Sequence, residues 1–156
     1  ASDLPQPHLV IGSDTVKIVT KVVDLGFVLN SRLTPVDHFS KVCQKIYWVL
    51  RSIRPHANCT PFVVRKKLIQ SMILPHINYS NIVYAHADSA STRKLGVAFN
   101  ACLRYVHGLD RRDSVANLQS SITGLNLKAS ATLQQLKFLF KIMMTQHPSY
   151  IYIYRS

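Results

Sequence analysis

The pattern of apolar and polar positions changes from an alternating to a helical period near residue 34. Before that point, apolar runs rich in β-branched residues are separated by Gly, Ser and Asp, which is typical of short strands joined by turns. We predict strands at residues 8–12, 15–19 and 22–30, with Gly26 marking a bulge or a close backbone approach. A unit of two or three strands is marginal alone and needs a surface to pack on.

The next segment is predicted to be an amphipathic helix over residues 35–54. Thr34 and Pro35 resemble an N-cap followed by a first-turn proline, Asp37 resembles an acidic capping partner, and Pro55 ends the helix. One arc at the 3.6-residue period collects the apolar positions Phe39, Val42, Cys43, Ile46, Val49, Leu50 and Ile53.

Helical patterns continue to the end of the chain. Helices are predicted over 61–74, ended or kinked by Pro75, then over 76–87, 91–107, 113–121 and 127–146. Ser89 or Ser91 is expected to cap the 91–107 helix, Gly108 to end it, and Gly124 to break the pattern. The apolar stripe of that helix consists of Leu95, Phe99, Cys102, Leu103 and Val106.

The expected fold class is therefore α+β, with a short antiparallel β-hairpin or meander followed by a bundle of five or six helices. We place the boundary between a terminal β segment, residues 1–33, and a helical domain, residues 34–156. The opening residues resemble the middle of a longer protein, so the chain is expected to be a fragment.

Composition restricts the classes of function. The 156 residues are 47% hydrophobic and contain 19 Lys and Arg against 7 acids, all Asp, for a net charge of +12. This excludes a disordered basic tail and leaves little material for paired-carboxylate catalysis, while it favours a polyanionic partner. With no apolar run of membrane-spanning length, no signal peptide and three unpaired-looking cysteines, we expect an intracellular protein of the nucleus or cytoplasm, without a membrane partner.

Catalytic arrangements are not found in the sequence. The seven histidines lack metal-ligand spacing, the five glycines form no phosphate-binding loop, and Asp110 and Asp113 flank Arg111-Arg112 as a self-neutralised helix start. We expect no metal, no cofactor and no catalytic residue in this chain.

Basic residues are better organised. Lys41, Lys45 and Trp48 lie opposite the apolar arc of the 35–54 helix, with Arg51 beside them. Lysines could contact phosphates while Trp48 stacks on a base or sugar; alternatively Trp48 packs under a neighbouring segment or a missing domain. The other candidate backbone contacts are Arg65, Lys66, Lys67, Asn100, Arg104, Arg111 and Arg112, for which a merely solvated face is the alternative.

Five short motifs in order resemble the C-terminal part of reverse transcriptases from non-long-terminal-repeat (LINE-like) retrotransposons. They are the Leu25-Gly26 turn, the NSRLT segment that follows it, the helix containing His38, the ILPH segment at 73–76 with Tyr79, and Asn100-x-x-x-Arg104 before Gly108. The resemblance covers roughly residues 8–148.

The resemblance implies that the first residues close a palm subdomain, with Leu25-Gly26 as a primer-grip-like turn, and that the helices form a thumb gripping a template–primer duplex of RNA or DNA. It also implies upstream fingers and palm of the same polyprotein, where the family's catalytic aspartates hold Mg²⁺. No Asp-Asp pair occurs in this chain, so the chain alone is predicted not to polymerise. Two alternatives stay open, a domesticated non-catalytic DNA- or RNA-binding module and a non-functional remnant with an orphaned interaction surface.

Overall fold

Two separate β-hairpins precede the helices. A computed structural model describes residues 9–16, 18–79 and 88–145. In it, β1 (Leu9–Ile11) pairs antiparallel with β2 (Asp14–Val16), and β3 (Lys21–Asp24) pairs antiparallel with β4 (Phe27–Asn30). Within the described ranges each sheet has two strands and no strand joins the two hairpins.

The turn between β3 and β4 corrects one prediction. Residues 22–30 do not form a single strand with a bulge at Gly26, because the chain reverses at Leu25-Gly26 and Asp24 pairs with Phe27. Both turn residues have positive φ, 46° at Leu25 and 85° at Gly26, as a two-residue turn that matches the twist of a hairpin requires. Gly adopts this conformation without steric cost, whereas Leu25 is held in it by the hairpin.

Among the residues that the structure describes, the helical part contains four helices longer than ten residues and two short ones. They are α1 (Val36–Ile53), α2 (Phe62–Met72), α3 (Leu74–Tyr79), α4 (Ser89–His107), α5 (Ser120–Thr123) and α6 (Leu127–Thr145). The predicted α+β class is confirmed. The helix is interrupted before Pro75, as predicted: α2 ends at Met72, and α3 starts at Leu74 with Pro75 in its first turn. The part of the predicted 76–87 helix beyond Tyr79 lies outside the described residues.

The start of α1 differs from the predicted capping arrangement. Pro35 occupies the N-cap position and no side chain caps the helix. Asn30 Nδ2 instead donates to Thr34 Oγ1 at 2.7 Å and to Asp37 Oδ2 at 3.0 Å, and Lys21 Nζ contacts Asp37 Oδ1 at 2.6 Å. The polar side chains expected to cap the helix therefore bind the second hairpin to it.

The core lies mainly between α1 and α4. On α1 the predicted arc is confirmed, with five of its members buried and Cys43 and Ile53 partly buried. On α4 all five residues of the predicted stripe are buried. Ile69 of α2, Ile73 between α2 and α3, and Ile77 of α3 complete this part of the core. Cys102 is enclosed here, and burial raises the pKa of its thiol to about 12, which keeps it protonated.

Two predictions for the segments around α4 are wrong, and two are confirmed. Asp88, rather than Ser89 or Ser91, caps the helix, because its carboxylate accepts from Ser91 N at 3.1 Å. The predicted 113–121 helix is wrong: Asp113 closes a turn on Asp110 N at 2.7 Å, and only a 3₁₀ turn at Ala116–Leu118 and α5 follow. The ends at Gly108 and Gly124 are confirmed, both with positive φ.

Helix α6 exposes much of its apolar surface. Ile142 is its one buried side chain within the described residues, and Leu127 packs at the edge of the core. The exposed apolar side chains of α6 are Leu133, Leu136, Phe138, Leu139, Phe140, Met143 and Met144. No described helix is long and apolar enough to cross a bilayer.

Candidate nucleic-acid interface

A groove of about 700 Å³ lies where the second hairpin, α1 and α3 meet. The β3–β4 turn forms one wall, α1 the floor, and the short helix α3 the opposite side. Its lining residues are Leu25, Gly26, His38, Lys41, Val42, Gln44, Lys45, Trp48, His76 and Tyr79. This set joins the Leu25-Gly26 turn, singled out by the family resemblance, to the basic face of α1, predicted from helical spacing. None of the lining residues is a carboxylate.

The floor of the groove is the polar face of α1. Lys41, Lys45 and Trp48 recur at i, i+4 and i+7, so a helix places them on one side. Trp48 is 62% exposed, and Lys45 Nζ lies 4.7 Å from the centroid of its ring. No segment within the described ranges covers the indole. Arg51 is exposed one turn further along and does not line the groove.

The α3 side was not predicted as part of the site. His76 and Tyr79 line the groove, and the Tyr79 hydroxyl donates to Leu25 O in the turn. A signal was present in the sequence, because a helix restarted at Pro75 places residues 76 and 79 on one face. Their relation to the turn depends on a contact between residues 54 positions apart, which local patterning does not reveal.

His38 connects the second hairpin to α1 beneath the groove. The residue is 4% exposed, and its ring stacks on Phe27, with centroids 4.0 Å apart and planes 20° apart. Val28 N donates to His38 Nδ1 at 3.4 Å. Burial, and secondarily the charge of Lys41, lower the pKa of His38 from 6.5. The neutral imidazole is therefore the form that suits this position, because only an unprotonated Nδ1 can accept.

We expect acidification to weaken the protein through His38. Its folded pKa lies below the unfolded value, so its contribution is fully present above about pH 6.5 and is lost as the pH falls through the folded pKa. Urea unfolding at about pH 7.5 and about pH 5.5 measures the loss of unfolding free energy. That loss should shrink in His38→Gln.

His107 supplies the control for this titration. It contacts Ser121 Oγ at 2.9 Å, and burial followed by the charges of Arg65 and Lys66 lowers its pKa too. A part of the acid-induced loss should therefore remain in His38→Gln and should decrease further in the double variant with His107→Gln. An unchanged pH dependence in His38→Gln would contradict the proposed connection.

Two of the predicted arginines bind the protein's own backbone. Arg65 Nη1 donates to Tyr105 O at 2.9 Å, near the end of α4. Arg104 donates to Asp113 O from Nε at 3.1 Å and from Nη2 at 3.0 Å. These contacts stabilise the C-terminal end of α4 and the loop after it, and they leave fewer donors for a ligand.

The remaining predicted residues lie outside the groove. Lys67, Arg111 and Arg112 are exposed, while Lys66 and Asn100 are half-buried. None of these five lines the groove. The structure thus brings together Leu25, Gly26, Lys41, Lys45 and Trp48, and places the rest of the predicted set elsewhere. No group of three potential metal ligands occurs among residues 9–16, 18–79 and 88–145.

Comparison with known proteins adds no relative. No protein-family model, no curated protein and no solved structure matches the chain. The resemblance to retrotransposon reverse transcriptases therefore depends on the five sequence motifs, and the candidate interface depends on the groove and its lining residues.

Proposed function

We propose that the chain binds the phosphate backbone of a nucleic acid through this groove, as the palm-end and thumb part of a retrotransposon-type reverse transcriptase. The observation that carries the proposal is that the Leu25-Gly26 turn and the lysines of α1 line one groove. In the family that the sequence resembles, the equivalent turn lies near the primer terminus and the helices that follow grip the duplex. Here the Leu25-Gly26 turn and the first helix after it line the same groove, which is the observation that supports the comparison.

Electrostatics supports a polyanion at this position. The chain carries a net charge of +12. The one ion pair among the described residues joins Lys21 to Asp37, neither of which lines the groove. Lys41 and Lys45 thus face the groove without a carboxylate partner in the described part of the chain. When such cations neutralise phosphates, the nucleic acid releases its condensed counterions, which makes binding favourable and dependent on salt.

The surface of the hairpins supports a larger assembly. Apolar side chains on both hairpins are exposed, among them Val10, Ile11, Val16, Val22 and Val23. Small two-stranded units are seldom stable without a covering surface. Upstream fingers and palm of the same polyprotein would supply one, together with the Mg²⁺-binding aspartates that the sequence lacks.

The test is the loss of binding in the double variant Lys41→Ala/Lys45→Ala. Each lost phosphate contact removes about 0.9 from the slope of log affinity against log salt on duplex DNA, so the slope should fall by about 1.8. Fluorescence anisotropy of a labelled RNA–DNA hybrid and a DNA duplex, titrated at several salt concentrations, measures both affinity and slope.

The matched control is Lys137→Ala/Lys141→Ala. These two exposed lysines have the same i, i+4 spacing on α6 and lie outside the groove. We expect a smaller change in slope and affinity than for the α1 pair. Equal losses from both pairs would contradict binding in the groove and would indicate diffuse attraction only. Primer extension by the purified chain with Mg²⁺ and deoxynucleotides would contradict the assignment as a non-catalytic part.

A further inference from the structure

The residues that line the groove favour a more specific ligand than any phosphate-bearing molecule. Its lining combines two lysines, an amide at Gln44, two histidines and the aromatic rings of Trp48 and Tyr79, with no carboxylate. A cationic ligand or a bare metal ion finds no anionic partner in such a lining. A ligand that is both anionic and aromatic matches it on both counts.

The size of the groove selects among such ligands. A cavity of about 700 Å³ falls in the range of about 300–1,000 Å³ that holds a drug-sized molecule, the size of one or two nucleotides. In a continuous duplex each base is stacked between its neighbours and offers only its edges. A base inside a duplex therefore offers no ring face to the protein, whereas an unpaired base beyond the duplex does.

The two aromatic rings differ in how they are held. Tyr79 is fixed by its hydroxyl, which donates to Leu25 O, while its side chain is still 62% exposed. Trp48 is equally exposed although Lys45 Nζ lies over its ring. Lys45 therefore lies close enough to the indole to contact the phosphate of a nucleotide whose base stacks there. This coupling of cation and ring is typical of sites that bind single strands without reading sequence.

We infer that the groove receives one or two unpaired nucleotides at the end of a duplex, with a base against Trp48 and the adjoining phosphates on Lys41 and Lys45. The inference rests on the proposed function and specifies the ligand of the same groove. It separates a phosphate-binding component, which a blunt duplex also uses, from a stacking component that needs an unpaired base.

Trp48 makes the test direct, because it is the one tryptophan of the chain. Its fluorescence is titrated with a blunt duplex, the same duplex with a short single-stranded overhang, the same overhang made of abasic residues, and inorganic polyphosphate. We expect quenching and about tenfold tighter binding with the base-bearing overhang alone. The abasic overhang should bind like the blunt duplex.

The outcomes distinguish the two proposals. Equal affinity and equal signal for the abasic and base-bearing overhangs would overturn the inference and leave backbone binding intact. Tighter binding of the base-bearing overhang without a change at Trp48 would overturn the placement of the base. Absence of salt-dependent binding to every nucleic acid would overturn the proposed function itself.

Variants supply an independent readout by anisotropy of labelled oligonucleotides. Trp48→Ala should lose the roughly tenfold preference for the overhang over the blunt duplex. Trp48→Phe keeps a ring face and should retain most of the preference. Tyr47→Ala is the matched control, since Tyr47 is the exposed neighbour on α1 that does not line the groove. A loss of preference in Tyr47→Ala equal to that in Trp48→Ala would contradict the inference.

Discussion

We expect Leu103→Ala to lower the free energy of unfolding by about 2–5 kcal/mol, the largest effect of any substitution considered for this chain. Leu103 is completely buried on α4, in the cluster where that helix packs against α1. Removing three carbon atoms there loses their transfer free energy and leaves a cavity that the surrounding helices fill only in part. Urea unfolding followed by circular dichroism measures the change.

Leu136→Ala is the matched control for this substitution. Leu136 belongs to α6, which has the same length of 19 residues as α4, and is 57% exposed. Because both variants replace Leu by Ala within a helix, their helix-propensity terms are similar and largely cancel in the comparison. The control should change the unfolding free energy by less than about 0.5 kcal/mol. Similar losses in the two variants would contradict a core centred on α1 and α4.

The second large effect is expected at the end of α4, in Gly108→Ala. Gly108 has φ of +66°, and a Cβ added there would lie 3.1 Å from Arg65 Nη1. The left-handed conformation costs about 1–2 kcal/mol for a residue with a Cβ. The guanidinium must also shift, which weakens its hydrogen bond to Tyr105 O. Thermal and urea unfolding should both show destabilisation.

The same substitution at Gly96 should have the opposite sign. Gly96 lies inside α4, and an added Cβ would meet no atom within 4 Å. Replacing glycine by alanine inside a helix stabilises by about 0.5–1 kcal/mol, because the unfolded chain loses conformational freedom. The two Gly→Ala variants should therefore differ by about 2 kcal/mol in unfolding free energy. A shared sign would contradict a left-handed conformation at Gly108.

Helix positions were predictable where a local pattern carries the information. The apolar arc of α1 and the stripe of α4 are periodic, and periodicity determines both the existence of a helix and the face that it buries. Gly108 ends α4 as predicted because a left-handed residue is needed at that position and glycine adopts it most easily.

The errors occurred where a polar side chain had two possible partners. Thr34 and Asp37 have the spacing of a capping pair, yet both bind Asn30 of the hairpin. Asp113 resembles a helix start but accepts from Asp110 N. In each position the capping motif competes with a different hydrogen bond of the same side chain, and sequence spacing alone does not decide between them.

The candidate site was predictable in part for a similar reason. Lys41, Lys45 and Trp48 belong to one helix, so their spacing places them on one face. From the sequence, Arg65 and Arg104 are as suitable for phosphate contacts as these lysines. In the structure, however, Arg65 binds a backbone carbonyl at the end of α4, and Arg104 binds one in the loop after it. A sequence shows that a cation is present and does not show whether its donors are already used. The contribution of α3 depends on the tertiary contact between Tyr79 and Leu25.

The second hairpin can detach from the helices more easily than the helices can separate from each other. The hairpin is held by the ion pair to Asp37, the Asn30 hydrogen bonds, the His38–Phe27 stack and the Tyr79–Leu25 contact, while the core lies between the helices. Detaching it exposes much less apolar surface than unfolding α1 and α4, so local opening requires less free energy than global unfolding. One wall of the groove can therefore open and close while the helical core remains folded. A ligand that needs this wall binds with an apparent affinity reduced by the fraction of time for which the wall is in place.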